Sequence, residues 1–218
     1  MDPLWEKYLG LQPYQYAANS PIRYYDNNGK WISAASSTAE LAIRNSVPSE
    51  FRSSIQFNDG ILNTEMVKEA AAGQDVNSNI AILSRLAENP NTIEVSVEKE
   101  TISYRNKQGT EQTITFSETE KQTPGRTLLG ITLPPRSDQN TSGASDGTAF
   151  STSGNIQVIV RDSQSSPANN MAGKTLAHEL YGHARFILLC RYGLATSATH
   201  SNQQVEQAIK RAEKESVK

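Results

Sequence analysis

The chain has 218 residues, with 21 Lys and Arg against 23 Asp and Glu, and a single cysteine. This length supports one sizeable core, or a modest core with an appendage. The balanced charge, without a basic stripe, argues against nucleic-acid binding, and no apolar run approaches the roughly 18 residues that a bilayer span needs. The lone Cys190 excludes an internal disulfide, and its apolar neighbours predict a buried packing position.

The first 31 residues are rich in Tyr, Pro and Asn and lack helical periodicity, which predicts short extended pieces joined by turns. Residues 38–89 then predict three helices. A Ser-Ser-Thr run at 36–38 is suited to cap the first, Gly73 to end the second, and Asn89-Pro90 to end the third.

Residues 92–135 change to the two-residue alternation of strands, with a hairpin turn at Lys107-Gln108-Gly109, and predict an antiparallel meander with one wet face. A further strand is predicted at 156–160. An apolar helix follows from about Met171 to Tyr192, and a charged helix from Asn202 to Glu215 carries an apolar stripe. The expected fold is therefore α+β, with N-terminal helices, an antiparallel sheet, a long apolar helix and a C-terminal helix.

Two of the three histidines of the chain, His178 and His183, lie beside Glu179 within the apolar helix. An apolar helix should not bury three ionisable groups unless they have partners. Zinc is a suitable partner, since neutral imidazoles are common zinc ligands and a neighbouring carboxylate can take a proton from zinc-bound water. The sequence therefore predicts a Zn²⁺ site with His178 and His183 as ligands and Glu179 as the catalytic base.

The spacing of the two histidines is one residue longer than in the common H-E-x-x-H pattern. Four residues put two side chains about 40° apart around an α-helix, whereas five put them about 140° apart. A π-bulge absorbs one extra residue, and Gly182 lies where such a distortion is easiest. We therefore expect a local widening of the helix between His178 and His183.

A zinc peptidase site needs a third ligand and leaves one position open for water. The favoured candidate is Glu206 on the last helix, in an order that looks like the gluzincin arrangement. His200, in the loop before that helix, is the alternative, and Glu213 is a weaker one. Tyr181, on the same helix as the two histidines, is a candidate for a contact to substrate or transition state. Gln157 is another, on a strand that could lie along the cleft edge.

The segment H-E-L-Y-G-H at 178–183 resembles the H-E-x-x-G-H motif of the dipeptidyl peptidase III family of zinc exopeptidases. In that family both histidines bind zinc and the glutamate is the base. The resemblance covers these six residues only, and it implies that zinc peptidase chemistry tolerates the longer spacing. Together with the predicted elements it implies a zincin-like fold.

The N-terminal segment resembles the end of the Rhs-repeat-associated core. Residues 2–8 read DPLWEKY and residues 13–29 read PYQYAANSPIRYYDNNG, with departures from the family pattern at Ser20 and Asn27. The resemblance implies that residues 1–31 are the tail of an Rhs shell and that residues 32–218 are its variable C-terminal domain. In this family that domain is commonly a toxin, secreted or delivered to a target cell as part of the larger protein.

The resulting hypothesis is a zinc metallopeptidase effector domain that acts on a protein or peptide substrate and is countered by a cognate immunity protein. We expect it to bind no nucleic acid and to be free of membrane spans. The alternative is a catalytically inactive Rhs module that recognises an immunity or partner protein, with the long histidine spacing marking a degenerate site.

Overall fold

The structure is a computed structural model that describes residues 31–118, 128–135, 149–162, 171–191 and 198–218. The N-terminal segment with the Rhs resemblance and the side chain of Cys190 lie outside the described residues, so both remain predictions. No helix within the described ranges is both long enough and apolar enough to cross a membrane.

Within the described ranges, six strands form the main sheet and two form a separate hairpin. The sheet strands are β1 Ile32–Ala34, β2 Phe57–Asn58, β3 Ile61–Leu62, β4 Ile93–Glu98, β7 Gly130–Leu133 and β8 Ile156–Arg161, and the hairpin strands are β5 Thr101–Arg105 and β6 Glu111–Thr115. The order across the main sheet is β2-β3-β1-β4-β8-β7. The hairpin turn lies where it was predicted, with Gly109 at a positive φ of 84°.

The prediction of an antiparallel sheet is wrong for its centre. β1 pairs parallel with β4, and β4 pairs parallel with β8, whereas β7 is antiparallel to β8 at the edge. Residue alternation reveals that one face of a strand is wetter than the other, but it carries no information on strand direction. The fold is therefore α+β with a mixed sheet.

The helices begin and end close to the predicted positions. They are α1 Ser37–Asn45, α2 Thr64–Ala71, α3 Asn79–Ala87, α4 Met171–Ala177, α5 Arg185–Arg191 and α6 Gln203–Ser216, with a 3₁₀ turn at Ser49–Ser54 and a π-helix at His178–Ala184. Local capping explains the agreement, because Ser36, Asn63 and Ser78 each accept a hydrogen bond from a backbone N–H in the first turn of α1, α2 and α3.

The main core lies between the helices and one face of the sheet. Ile93, Val95, Val158 and Val160 pack there against Leu180 and other apolar residues of the helices. A smaller cluster on the opposite face packs the β5–β6 hairpin against the sheet. The His178–Ala184 segment is therefore held between the sheet on one side and α6 on the other.

Candidate metal centre

The His178–Ala184 segment is a π-helix inserted between α4 and α5. Its hydrogen bonds reach back five residues, as in the bond from the Arg185 N–H to the Leu180 carbonyl. Each turn takes one extra residue, which brings positions five apart onto one face. The rings of His178 and His183 accordingly lie side by side, with centroids 5.2 Å apart. The expected local widening between the two histidines is confirmed.

His200 completes a group of three imidazoles, called here the histidine cluster. Its ring centroid lies 5.3 Å from that of His178 and 4.7 Å from that of His183. One ring nitrogen from each residue lies within 4.8 Å of those of the other two. The loop before α6 thus brings a third imidazole to the two on the π-helix.

Each imidazole of the cluster makes a hydrogen bond through its Nδ1 atom. Nδ1 of His178 lies 2.7 Å from Oε1 of Glu213, and Nδ1 of His183 lies 2.7 Å from the carbonyl oxygen of Ala198. Nδ1 of His200 is hydrogen-bonded to Oε1 of Glu206. A carbonyl and an ionised carboxylate can only accept, so all three Nδ1 atoms carry a hydrogen and donate it.

When Nδ1 carries the hydrogen, the Nε2 atom of a neutral imidazole is left as an acceptor. Nε2 of His183 lies only 3.2 Å from Nε2 of His200. Two lone pairs that face each other at this distance repel, unless a proton or a metal cation lies between or beside them. Burial lowers the pKa of His183 and favours its neutral form. The histidine cluster is therefore a concentrated set of nitrogen donors suited to a borderline divalent cation.

Glu206 and Glu213 lie behind the imidazoles. The hydrogen bond with His200 lowers the pKa of Glu206 and keeps its carboxylate ionised. Glu213 also pairs with Lys174, whose Nζ is 3.6 Å from Oε2. Glu206, the favoured third ligand, and Glu213, the weaker candidate, thus lie on the Nδ1 side of two imidazoles, whereas His200, the alternative, lies within the group, and the identity of the third ligand stays a prediction. The described residues just before α6, 198–202, put His200 in the group, and the two carboxylates accept hydrogen bonds from the rings of His178 and His200.

A close approach of α6 to the π-helix depends on Gly182. A Cβ atom at this position would lie 2.4 Å from Cγ1 of Ile209, far inside normal contact. Ile209 stands on α6 three residues after Glu206 and four before Glu213, so the three share one face. The missing side chain at Gly182 therefore sets how closely both carboxylates come to their imidazoles.

Glu179, the predicted base, is only 6 % exposed. Burial raises the pKa of its carboxyl group, while nearby His178 and a hydrogen bond from Thr132 act in the opposite direction. The Thr132 hydroxyl lies 2.7 Å from Oε2 of Glu179. A buried carboxylate with a raised pKa close to a group of imidazoles is a candidate for a general base.

Sequence reasoning missed the contribution of β7 to this site. Thr132 and Gly130 lie two residues apart on the face of β7 that meets the π-helix, and Gly130 leaves room for the Glu179 side chain. Ile131 and Leu133 pack on the other face of the sheet. Because side chains alternate along a strand, only this alternation could have indicated that Gly130 and Thr132 face the π-helix.

Tyr181 lies in the main core rather than in the histidine cluster. Its side chain is fully buried, and its hydroxyl lies 2.6 Å from Oγ of Ser46, the residue that follows α1. Burial raises the pKa of this hydroxyl well above its ordinary value. The position supports a packing role and gives no support to the predicted contact with substrate or transition state.

Gln157 lies on the sheet face opposite the π-helix. It pairs with Leu133, accepts a hydrogen bond from the backbone of Thr152 and lines a cavity of about 250 Å³ with Glu94 and Ser96. Its strand β8 lies between β4 and β7, so β8 offers no free edge. The prediction of β8 as a cleft-edge strand is therefore wrong: among the described strands, β7 is the terminal one beside the π-helix.

The chain was compared with known proteins at three levels. No protein-family model, no curated protein sequence and no solved structure matches it.

Proposed function

We propose that this chain is a zinc-dependent peptidase in which His178, His183 and His200 hold the metal and Glu179 is the base. The observation that carries the proposal is the convergence of three imidazoles, each with its Nδ1 hydrogen bonded to an acceptor behind it. Such backing acceptors fix the tautomer and aim Nε2 forward, an arrangement common among metal-binding histidines.

The donor set favours zinc. Three neutral imidazoles with a position left for water or substrate are a usual catalytic zinc arrangement. When bound, zinc would polarise the scissile carbonyl and lower the pKa of water at the site. A set without thiolate and with carboxylates only behind the rings suits zinc better than magnesium or calcium.

Glu179 supplies the proton transfers of the proposed reaction. Its carboxylate would take a proton from the attacking water and give it to the nitrogen of the departing amine. Burial, which raises its pKa, makes it a stronger base than an exposed carboxylate. Nearby His178 and the Thr132 hydrogen bond limit that rise of the pKa.

The position of β7 supports a zincin-like arrangement. β7 is antiparallel to its only described neighbour and packs against the π-helix. An extended peptide could add to the outer edge of β7 by backbone hydrogen bonds, which would lay it beside the histidine cluster. β7, and not β8, is therefore the strand expected to bind substrate along the edge of the cleft.

The Rhs resemblance of residues 1–31 supports a place for this peptidase in a larger protein. We propose that the domain is an effector, secreted or delivered to a target cell, whose substrate is a protein or peptide and whose producer carries an immunity protein against it. The delivery and the immunity protein follow from the family resemblance alone, whereas the peptide substrate follows from the proposed peptidase site.

Metal analysis and hydrolysis of a degenerate quenched-fluorescence peptide library test the function together. The unaltered chain should hold one zinc per molecule and cleave peptides. Glu179→Gln should keep the zinc and lose cleavage. His178→Ala and His200→Ala should lose both, whereas Glu206→Gln should keep zinc with weaker affinity.

Three outcomes would each contradict a part of the proposal. Residual cleavage by Glu179→Gln would remove the role of that carboxylate. A chain that takes up no metal from zinc-replete medium would favour the non-catalytic module that binds a partner protein. Loss of zinc from Glu206→Gln, together with its retention in His200→Ala, would restore Glu206 as third ligand.

A further inference from the structure

We propose that Thr132 is a positioning residue for Glu179: its hydroxyl holds Oε2, so that Oε1 is the oxygen that exchanges the proton. This inference rests on the proposed function and deepens it. It assigns to the edge strand β7 a part in the chemistry, besides any part in holding a peptide.

The hydrogen-bond geometry singles out one carboxylate oxygen. The Thr132 Oγ1 atom lies 2.7 Å from Oε2 of Glu179 and 3.3 Å from the Glu179 backbone carbonyl. A hydroxyl has one hydrogen to donate, and the shorter contact to the charged oxygen is the stronger. No hydrogen bond from another described residue reaches Oε1.

Thr132 is itself held firmly. It is 5 % exposed, and its strand is fixed in register to β8, where it stands opposite Val158. Its hydroxyl therefore has little access to water as a competing partner. A hydroxyl on a paired, buried strand position can hold a carboxylate in one orientation.

Gly130 supports the same arrangement from two residues away. A Cβ atom there would lie 2.9 Å from Cγ of Glu179 and 3.2 Å from Oε1, and also 2.9 Å from Cγ2 of Thr175. Any larger residue would push the Glu179 side chain aside. β7 therefore provides both the space that the carboxylate occupies and the donor that orients it.

The matched variants Thr132→Val and Thr132→Ser test the inference by steady-state kinetics and zinc competition. Valine has nearly the same shape as threonine without the hydroxyl, whereas serine keeps the hydroxyl. Thr132→Val should lower kcat about tenfold or more, with KM and zinc affinity unchanged, because a misplaced base affects the proton transfer. Thr132→Ser should restore most of kcat.

A second measurement does not depend on activity. In metal-free protein, Thr132→Val should lower the equilibrium constant for folding by about tenfold, as expected for a lost buried hydrogen bond to a carboxylate. The same substitution should have a much smaller effect in a Glu179→Leu background, because the acceptor is gone.

The outcomes separate the two proposals. If the unaltered chain cleaves peptides and Thr132→Val matches it in kcat, the positioning role is overturned and the peptidase stands. If Thr132→Ser is as impaired as Thr132→Val, the hydroxyl is not the operative group. If the unaltered chain cleaves nothing, the peptidase proposal fails and the positioning role fails with it, while the folding measurement still reports whether the contact exists.

Discussion

Replacing Gly182 by alanine should separate α6 from the π-helix and weaken zinc binding. The added Cβ would stand 2.4 Å from Cγ1 of Ile209, whereas apolar carbons normally approach to about 3.5–4.0 Å. Relief therefore requires a movement of roughly 1 Å by a side chain that is only 4 % exposed. Either Ile209 leaves its rotamer or the whole of α6 shifts.

Two opposing effects determine the stability of this variant. Overpacking of a buried contact costs about 1–3 kcal/mol of unfolding free energy. Alanine in place of glycine regains about 0.5–1 kcal/mol through the smaller backbone entropy of the unfolded chain. We expect the cost of overpacking to exceed this gain, so that the variant loses roughly 1 kcal/mol or more of unfolding free energy. Since Glu206 and Glu213 move with Ile209, zinc affinity should fall by about tenfold or more.

Denaturant unfolding of the metal-free chain and zinc competition against a chromophoric chelator measure these two effects. A double variant, Gly182→Ala with Ile209→Ala, removes the clashing Cγ1 atom and lets the new methyl fill part of the space. It should bind zinc more tightly than Gly182→Ala alone, and its unfolding cost should be smaller than the sum of the single costs. Gly154→Ala is the matched control, because nothing lies within 4 Å of a Cβ at that position.

The reasoning is refuted if Gly182→Ala binds zinc as tightly as the unaltered chain. It is also refuted if the costs of the single variants simply add in the double variant, since additivity would mean that the two positions do not press on each other.

Three other predictions follow from the same contacts. Glu213→Ala should weaken zinc binding about 10–100-fold and Glu213→Gln less, because an amide oxygen still accepts from Nδ1 of His178; equal losses in chelator competition would contradict this. Ser46→Ala should cost about 1–3 kcal/mol of unfolding free energy by stranding the buried Tyr181 hydroxyl, and adding Tyr181→Phe should recover part of it in denaturant titrations. Zinc at 100 times its Kd should raise the unfolding free energy by about 2.7 kcal/mol, seen as a higher Tm that His200→Ala abolishes.

Features that depend on neighbouring residues were predictable from the sequence. Ser36 and Gly109 act through backbone groups within four residues, so their patterns identify a helix start and a hairpin turn directly. The apolar stripe of α6 was predicted for the same reason, because helical periodicity decides which side chains of one helix share a face.

Features that depend on distant partners were not predictable. The parallel pairing of β4 with β8 joins segments separated by the hairpin and β7, and no residue within either strand encodes that partner. The role of Thr132 likewise depends on which helix packs on its face. His200, Glu206 and Glu213 were all candidates for the third ligand. Which of them faces the other two imidazoles depends on how the chain before α6 folds, and the sequence does not show this.

The histidine cluster shows how local and distant constraints combine. A π-helix is rare because its backbone packs less well than an α-helix, so it persists where other contacts compensate. Here the extra residue per turn brings His178 and His183 together, and Gly182 in the same π-helix leaves room for the close approach of α6. The same helix carries the carboxylates that orient His178 and His200. The long histidine spacing and the glycine within the motif are therefore two parts of one arrangement. With the spacing but without the glycine, α6 and its two carboxylates would lie too far away to accept hydrogen bonds from His178 and His200.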